Sequence, residues 1–399
     1  MEYDVVVVGA GPVGGFLAQR MSEGGASVLL LEEHAQIGRP FQCAGLVNPE
    51  AMNLAELEST VLTPIWGARI HSPSGIPVEI GNEQDVRTWS VCRKLFDEGI
   101  VEGAMKAGTD IWFSSKPISA DVNKNHVLLS VSTPQGDQSI RCKLLCGADG
   151  AHSWVRRRFK MGRPKELMIG FQVEVTGYKG ESGRLDMYTG SKFSPGFFAW
   201  AIPSGETTRI GTWSKPELMR EESCEQLLDR LRKEPLWSER FSECREVGRF
   251  CGPIPSGLVK HPMKGRVVLF GDAAGLCKPT TGGGIGPGFK QVEMLVPKLL
   301  ECLKRNDFLD AAVKEIVDLM GPIRREQNRA RALRDAFLTE MTDEELDTVF
   351  AVWSRPEVTD LINQIGDIEQ PIPLGIRMLK EVPEFRAIAK RAAKAVLWG

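Results

Sequence analysis

Four stretches of this chain combine residue types and spacings that could do chemistry. The first is Gly9-x-Gly11-x-x-Gly14, with Pro12 inside it. An apolar run at 3–8 precedes it. A helix-like stretch at 16–23, a Gly24-Gly25 break, a second apolar run at 28–31 and the acid Glu32 follow. Strand, glycine turn, helix, strand and acid in that order make the unit that binds the ADP half of a dinucleotide. The glycines let the backbone approach a pyrophosphate, and the helix N-terminus aims its N–H groups and positive dipole end at it. Glu32 stands close to the roughly 20-residue spacing of the acid that accepts from ribose hydroxyls. A purely structural βα turn is the other reading of the same residues.

The second stretch is an apolar strand at 141–146 that runs into Asp149-Gly150, after which Ser153 and Arg156 open a helix. Ser153 is available as its N-cap. In the third, a buried-type strand at 265–270 ends in Gly271-Asp272 and leads through Ala273-Ala274 and Pro279 to Gly282, Gly283, Gly284, Ile285, Gly286, Pro287 and Gly288. So glycine-rich a segment suits a backbone pressed against a flat or phosphorylated ligand, with a helix expected behind it at 289–303. The fourth is Phe198-x-Trp200-x-Ile202-Pro203. Alternation puts Phe198, Trp200 and Ile202 on one face of a strand. That face is either plain core or the wall of an apolar pocket.

The elements that must hold these stretches alternate between helical and strand patterns. Residues 65–86 read as antiparallel β, 93–107 as a helix, and 127–133 with 141–146 as two strands. The stretch 165–257 is β-rich, with strands expected at 172–175, 184–188, 197–202 and 208–213. From 323 the chain reads as helical. Arg324, Arg325, Arg329, Arg331 and Arg334 cluster there on about three turns, and residues 384–398 form a basic amphipathic pattern. Either could meet a membrane surface, or be an ordinary docked helix with a solvated face.

Composition bounds the function. The 399 residues carry 50 Lys plus Arg against 52 Asp plus Glu, a balance that argues against a nucleic-acid partner. No apolar run approaches the roughly 20 residues of a membrane span. A strand begins at once, so no signal peptide is expected and the expected location is cytoplasmic, with peripheral membrane contact open. The nine cysteines are scattered and lack a C-x-x-C pair, and the five histidines are dispersed. Neither a disulfide framework nor a metal site is expected.

The three glycine-bearing motifs, taken in order, resemble flavoproteins of the para-hydroxybenzoate hydroxylase type, over residues 1 to about 300. Four further features resemble the geranylgeranyl reductase family, particularly its archaeal, lipid-acting members. These are Ile37-Gly38-Arg39-Pro40 with Cys43-x-Gly45; Phe198-x-Trp200-x-Ile202-Pro203; Pro279-x-x-Gly282-Gly283-Gly284-Ile285; and Thr342-Asp343-Glu344-Glu345-Leu346-Asp347. Phe198 stands where Tyr is commoner, Ile202 where Phe is usual, and Gly286-Pro287-Gly288 replaces a more helical continuation.

The resemblance implies an α/β fold. A Rossmann-type FAD-binding domain (1–61, 88–162 and 259–321) would carry an antiparallel β-sheet substrate domain (62–87 and 163–258) and a C-terminal helical region (322–399). It carries FAD contacts over to Gly9, Gly11, Pro12, Gly14, Glu32, Glu33, Cys43, Ala44, Gly45, Arg93, Asp149, Gly150, Gly271, Asp272, Pro279, Gly282, Gly283, Gly284 and Ile285. Catalytic roles fall to Cys43, Phe198 and Trp200. The implied reaction is saturation of isolated C=C bonds in a polyprenyl lipid by reduced FAD. Electrons would come from ferredoxin, a reduced deazaflavin or NAD(P)H. The Phe-x-Trp-x-Ile-Pro string is also similar to the Trp-x-Trp-x-Ile-Pro of flavin-dependent halogenases, so an aromatic hydroxylase or halogenase is the alternative. A non-catalytic prenyl-binding protein of the same fold is the second.

Overall fold

The computed structural model describes residues 1–39, 43–365, 377–378 and 380–384. Pro40 of the Cys43 loop, and the basic stretch expected to be a helix at 384–398 except Glu384, lie outside them.

Short apolar runs at 5–8, 28–31, 144–146 and 267–269 build the centre of the first sheet, as expected for strands buried on both faces. Its order is β17 (Met263–Lys264), β18 (Val267–Leu269), β11 (Gly136–Gly147), β1 (Glu2–Val8), β2 (Val28–Leu31) and β8 (Asp110–Trp112). From β18 to β8 every neighbour is parallel. The long β11 also carries an antiparallel hairpin, β9 (Lys116–Val122) with β10 (Val127–Thr133). Helices α1 (Pro12–Glu23), α2 (Pro49–Ala55), α3 (Arg93–Lys106), α4 (Trp154–Arg158), α7 (Gly271–Ala274), α8 (Ile285–Arg305) and α9 (Asp310–Leu319) accompany this sheet. Phe16 of α1 stacks on Phe289 of α8 with ring centroids 4.2 Å apart.

The second sheet runs β16 (Arg245–Ser256), β12 (Glu166–Thr176), β15 (Thr207–Ser214), β14 (Phe198–Ser204), β13 (Arg184–Thr189), β5 (Gly67–His71) and β6 (Pro77–Gly81). It is antiparallel except where β13 meets β5 in parallel. Alternation gives it two faces. Phe171, Val173, Ala199, Ala201 and Ile210 pack on α5 (Cys224–Lys233) through Leu227, Leu228 and Leu231, and on Phe241 of α6 (Ser238–Phe241). A capping box between Ser223 and Gln226 starts α5, closing two of its orphan donors. A small third sheet, β3 (Leu46–Val47), β7 (Thr88–Val91) and β4 (Val61–Ile65), sits beside the Cys43 loop.

The C-terminal region holds α10 (Gly321–Arg334), a π-helical turn at Asp335–Thr339, α11 (Asp343–Trp353) and α12 (Pro356–Ile365). The acids at the start of α11 are clamps. Asp343 accepts from the Ser191 N–H at 2.8 Å, and Asp347 from the Ser74 N–H at 3.0 Å, so α11 ties down two loops of the second sheet. Among the described residues, no helix is long and apolar enough to cross a membrane.

Two expectations change. The helix after the glycine segment begins at Ile285, not at 289. Pro287 is tolerated because the first turn has no intrahelical partner for its missing N–H. Gly288 is needed because a Cβ there would lie 2.3 Å from Val13 of α1. The arginine cluster is also mostly internal. Arg334 is buried against Glu166 and Asp335, Arg331 bonds Glu166 at 2.8 Å, and Arg324 donates to the carbonyls of Leu258 and Val259. Of the five, Arg325 and Arg329 are exposed.

Candidate active site

The three glycine stretches, far apart in sequence, meet at one end of the first sheet. Parallel pairing brings Val8 of β1 beside Gly147 of β11, and Gly147 beside Leu269 of β18. The turns that follow these strands are therefore neighbours. Gly14 packs so closely on the preceding turn that a Cβ would stand 1.9 Å from the Gly9 carbonyl oxygen. Arg156 joins the second motif to the third, donating to the carbonyls of Ala151 and Ala273. Ser153 caps α4, accepting from the Arg156 N–H at 2.9 Å. Buried Gln291 of α8 accepts from the Gly271 N–H at 3.0 Å and donates to Leu269 O at 2.9 Å, fixing the turn of the third motif.

The polar groups left at this meeting point fit FAD. α1 and α8 both begin without a side-chain cap, which leaves first-turn N–H groups and a positive dipole end at each for electron-rich groups of the cofactor. A Cβ at Gly11 or Gly150 would meet nothing within 4 Å, so bare backbone is open to a ligand there. Asp149 accepts from the Val155 N–H through Oδ2 at 3.1 Å, while its buried Oδ1 has no hydrogen-bond partner. Glu32 accepts from the Ala10 N–H at 3.0 Å and from His34, so it braces the glycine turn while keeping lone pairs for a hydroxyl. Burial pushes the Asp272 carboxyl up, with the Cys277 thiol and the charges of Arg93 and Arg156 opposing it. Burial, with Asp272 next to it, pushes the Cys277 thiol far up, so it stays a donor to Asp272 Oδ1 at 3.2 Å. Glu33 is exposed.

The Cys43 loop rests on two arginines. Arg93 pairs with Asp97 at 2.9 and 2.7 Å. Burial works against its charge, but Asp97 and the Cys43 side chain outweigh that and hold it above the ordinary arginine value. Arg209, buried in β15, donates to Ala44 O at 2.9 Å and to Val91 O at 3.2 Å. It packs so tightly under Gly45 that a Cβ there would meet the guanidinium at 2.0 Å. The Gly45 N–H donates to Cys43 Sγ at 3.3 Å.

Facing this loop is the inner face of the second sheet, opposite the face that α5 covers. Register aligns rows across β14, β15 and β12. They are Trp200, Gly211 and Gln172; Ile202, Arg209 and Glu174; and, at the end of the ladder, Trp213 and Gly170 with the Phe198 ring packed against Trp213. Phe198 packs edge-on against Trp213 at 5.5 Å and Trp200 at 6.5 Å. Trp213 in turn lies under Gly282 of the glycine segment, 3.2 Å from where its Cβ would be. Phe198 and Ile202 are buried, and Trp200 is half-buried. The face expected to be core or wall is thus closed at Phe198 and Ile202 and open at Trp200. Pro279 is held from the other side, its carbonyl accepting from Arg334 at 3.1 Å.

The structure therefore brings the Cys43 loop, the Phe198–Trp200 strand and the 279–285 segment onto one wall, with the three glycine turns behind it. Sequence reasoning missed Gln172, Arg209 and Gln291. Only Gln291 carried a signal, a polar residue on the stripe its helix shares with Gly288, Val292 and Leu295. Gln172 and Arg209 alternate with Phe171, Val173 and Ile210 and so read as the polar face of their strands.

A family model described as "FAD binding domain" matches residues 2–319. The chain is 32% identical over 300 residues to digeranylgeranylglycerophospholipid reductase 2 of Methanothermobacter thermautotrophicus, covering 71% of this chain and 74% of that protein. It is 26% identical over 409 residues to digeranylgeranylglycerophospholipid reductase 2 of Methanopyrus kandleri, covering 99% and 100%. Among solved structures, a geranylgeranyl bacteriochlorophyll reductase-like protein of Thermoplasma acidophilum superimposes with a TM-score of 0.86 at 22% identity, over 98% of this chain and 99% of that one.

Proposed function

The chain belongs to the geranylgeranyl reductase family of FAD-binding proteins, and from that premise we propose that it saturates isolated C=C bonds of geranylgeranyl chains in precursors of membrane ether lipids. The observation that carries this reading is the inner wall. Phe198, Trp200 and Trp213 form an aromatic surface that meets the glycine segment at Gly282 and the Cys43 loop through Gln172. A relative that aligns along nearly the whole chain is named a digeranylgeranylglycerophospholipid reductase.

Bound, reduced FAD supplies a hydride. The chain's residues do the rest. An isolated alkene is a poor hydride acceptor, so a proton arriving at one carbon leaves positive charge growing on the tertiary carbon beside it. The open ring of Trp200, with Phe198 packed edge-on against it at 6.5 Å, offsets that charge, by about 2 kcal/mol in a desolvated setting. The same rings and Ile202 exclude water from the alkene. The thiol of Cys43, on the rim of the wall, is the candidate proton donor, restored afterwards from water. The glycine turns and the N-termini of α1 and α8 bind and orient the cofactor.

Anaerobic turnover tests the reading. Protein loaded with FAD and reduced with dithionite should convert a geranylgeranyl ether lipid into product heavier by two hydrogens per double bond. A product that forms only with oxygen, carrying an oxygen or halogen atom, would replace this reading with the hydroxylase or halogenase one.

A further inference from the structure

Trp200, Gly211 and Gln172 stand in one row across three adjacent strands. The middle position has no side chain, and a Cβ there would lie 2.3 Å from the six-membered ring of the Trp200 indole. The indole therefore lies across β15 at Gly211 and reaches the far strand, where its Nε1–H donates to Gln172 Oε1 at 3.2 Å. From the same amide, Nε2 donates to the Cys43 carbonyl at 3.5 Å. The amide's orientation follows from its partners. An indole N–H can only donate and a carbonyl can only accept, so the oxygen must face Trp200 and the nitrogen Cys43. Gln172 is 3% exposed, so water does not readily substitute for either partner.

We propose that Gln172, with Gly211 as the seat of the ring, is a positioning residue that holds the Trp200 face and the Cys43 loop in one fixed relation across the site. Wall and loop come from β14 and from the segment before β3, and the glutamine amide ties them directly. Glutamate of the same length would keep an acceptor for Trp200 but turn a second acceptor toward the Cys43 carbonyl. Methionine would keep the volume and lose both bonds.

The effect on turnover rests on the proposed reductase reading; the effect on the loop does not. Peptide-resolved alkylation of FAD-loaded protein measures the loop, with wholly buried Cys146 of β11 as the reporter of global opening. In Gln172→Glu and Gln172→Met, Cys43 should label several-fold faster while Cys146 stays at its wild-type rate. In both variants and in Gly211→Ala, turnover of a geranylgeranyl lipid should fall about tenfold with FAD content unchanged, the scale expected when a reacting group shifts by a fraction of an ångström. Wild-type Cys43 labelling with wild-type turnover in Gln172→Met would overturn the proposal. So would Cys43 and Cys146 speeding up together, which would make the glutamine a general stabiliser. A wild-type protein that reduces no alkene would sink the reductase reading alone, and the labelling would still decide the role of Gln172.

Discussion

Ile210 and Gly211 are consecutive in β15 and point to opposite faces of one sheet. Ile210 is fully buried among Val173, Ala199, Ala201 and the leucines of α5. Gly211 is the seat of Trp200 on the face that meets the glycine segment and the Cys43 loop. The covers differ as well. Outside, α5 is held by apolar contact through Leu227, Leu228 and Leu231. Inside, α10 and the π-helical turn are held by an ion cluster. Glu166 at the start of β12 pairs with Arg331, Arg334 and Lys215, while Arg334 also lies over the Phe197 ring at 4.8 Å. Leu338 packs on Phe197, Phe198 and Trp213. One face is built for stability, and the other for placing a ligand under a cover held by charge.

Removing the charge should do the most damage. Glu166→Leu leaves the buried Arg334 guanidinium short of its main partner, and chemical denaturation should report a loss of about 4 kcal/mol. Ile210→Ala should cost about 3 kcal/mol in the same assay, with turnover per FAD-loaded molecule unchanged. Equal stability loss with lost turnover would erase the distinction between the faces. Phe198→Leu on the inner face should cost less than about 1.5 kcal/mol, yet lower turnover more than Ile210→Ala does.

The covers should also separate by pH. Burial raises the Glu166 carboxyl, but Arg334, Lys215 and Arg331 more than reverse this and hold it at about 2. A depressed folded value means the cluster contributes fully above the ordinary value of 4.5 and is lost as pH falls toward about 2. Between those values, proteolysis of the segment after α10 should increase before α5 becomes susceptible. Simultaneous cleavage would show that both covers depend on one cooperative unit.

Much of this architecture was legible because it is local. The first glycine turn, the Ser153 cap and the alternation of Phe198, Trp200 and Ile202 are each written within a few residues. That the three glycine stretches converge follows from parallel pairing of β1, β11 and β18; in the sequence it was implied only by the resemblance of the three motifs, taken together, to the flavoprotein set. The rows across the second sheet were not legible. Whether Gln172 stands opposite Gly211, and Gly211 opposite Trp200, depends on registers set by distant strands. The arginine cluster misled for the same reason. Spacing on α10 showed a basic helix, but not that Glu166, over 150 residues earlier, and the carbonyls of Leu258 and Val259 would take three of its charges inward.

The central claim is that the inner face presents an isolated alkene to reduced FAD. Stopped-flow mixing of dithionite-reduced protein with a geranylgeranyl ether lipid, without oxygen, tests it most directly. The account predicts that oxidised-flavin absorbance returns at a rate set by lipid concentration, and that Trp200→Ala with full FAD content slows this return at least about tenfold. Absorbance that stays bleached with lipid and returns only when oxygen is admitted would contradict it.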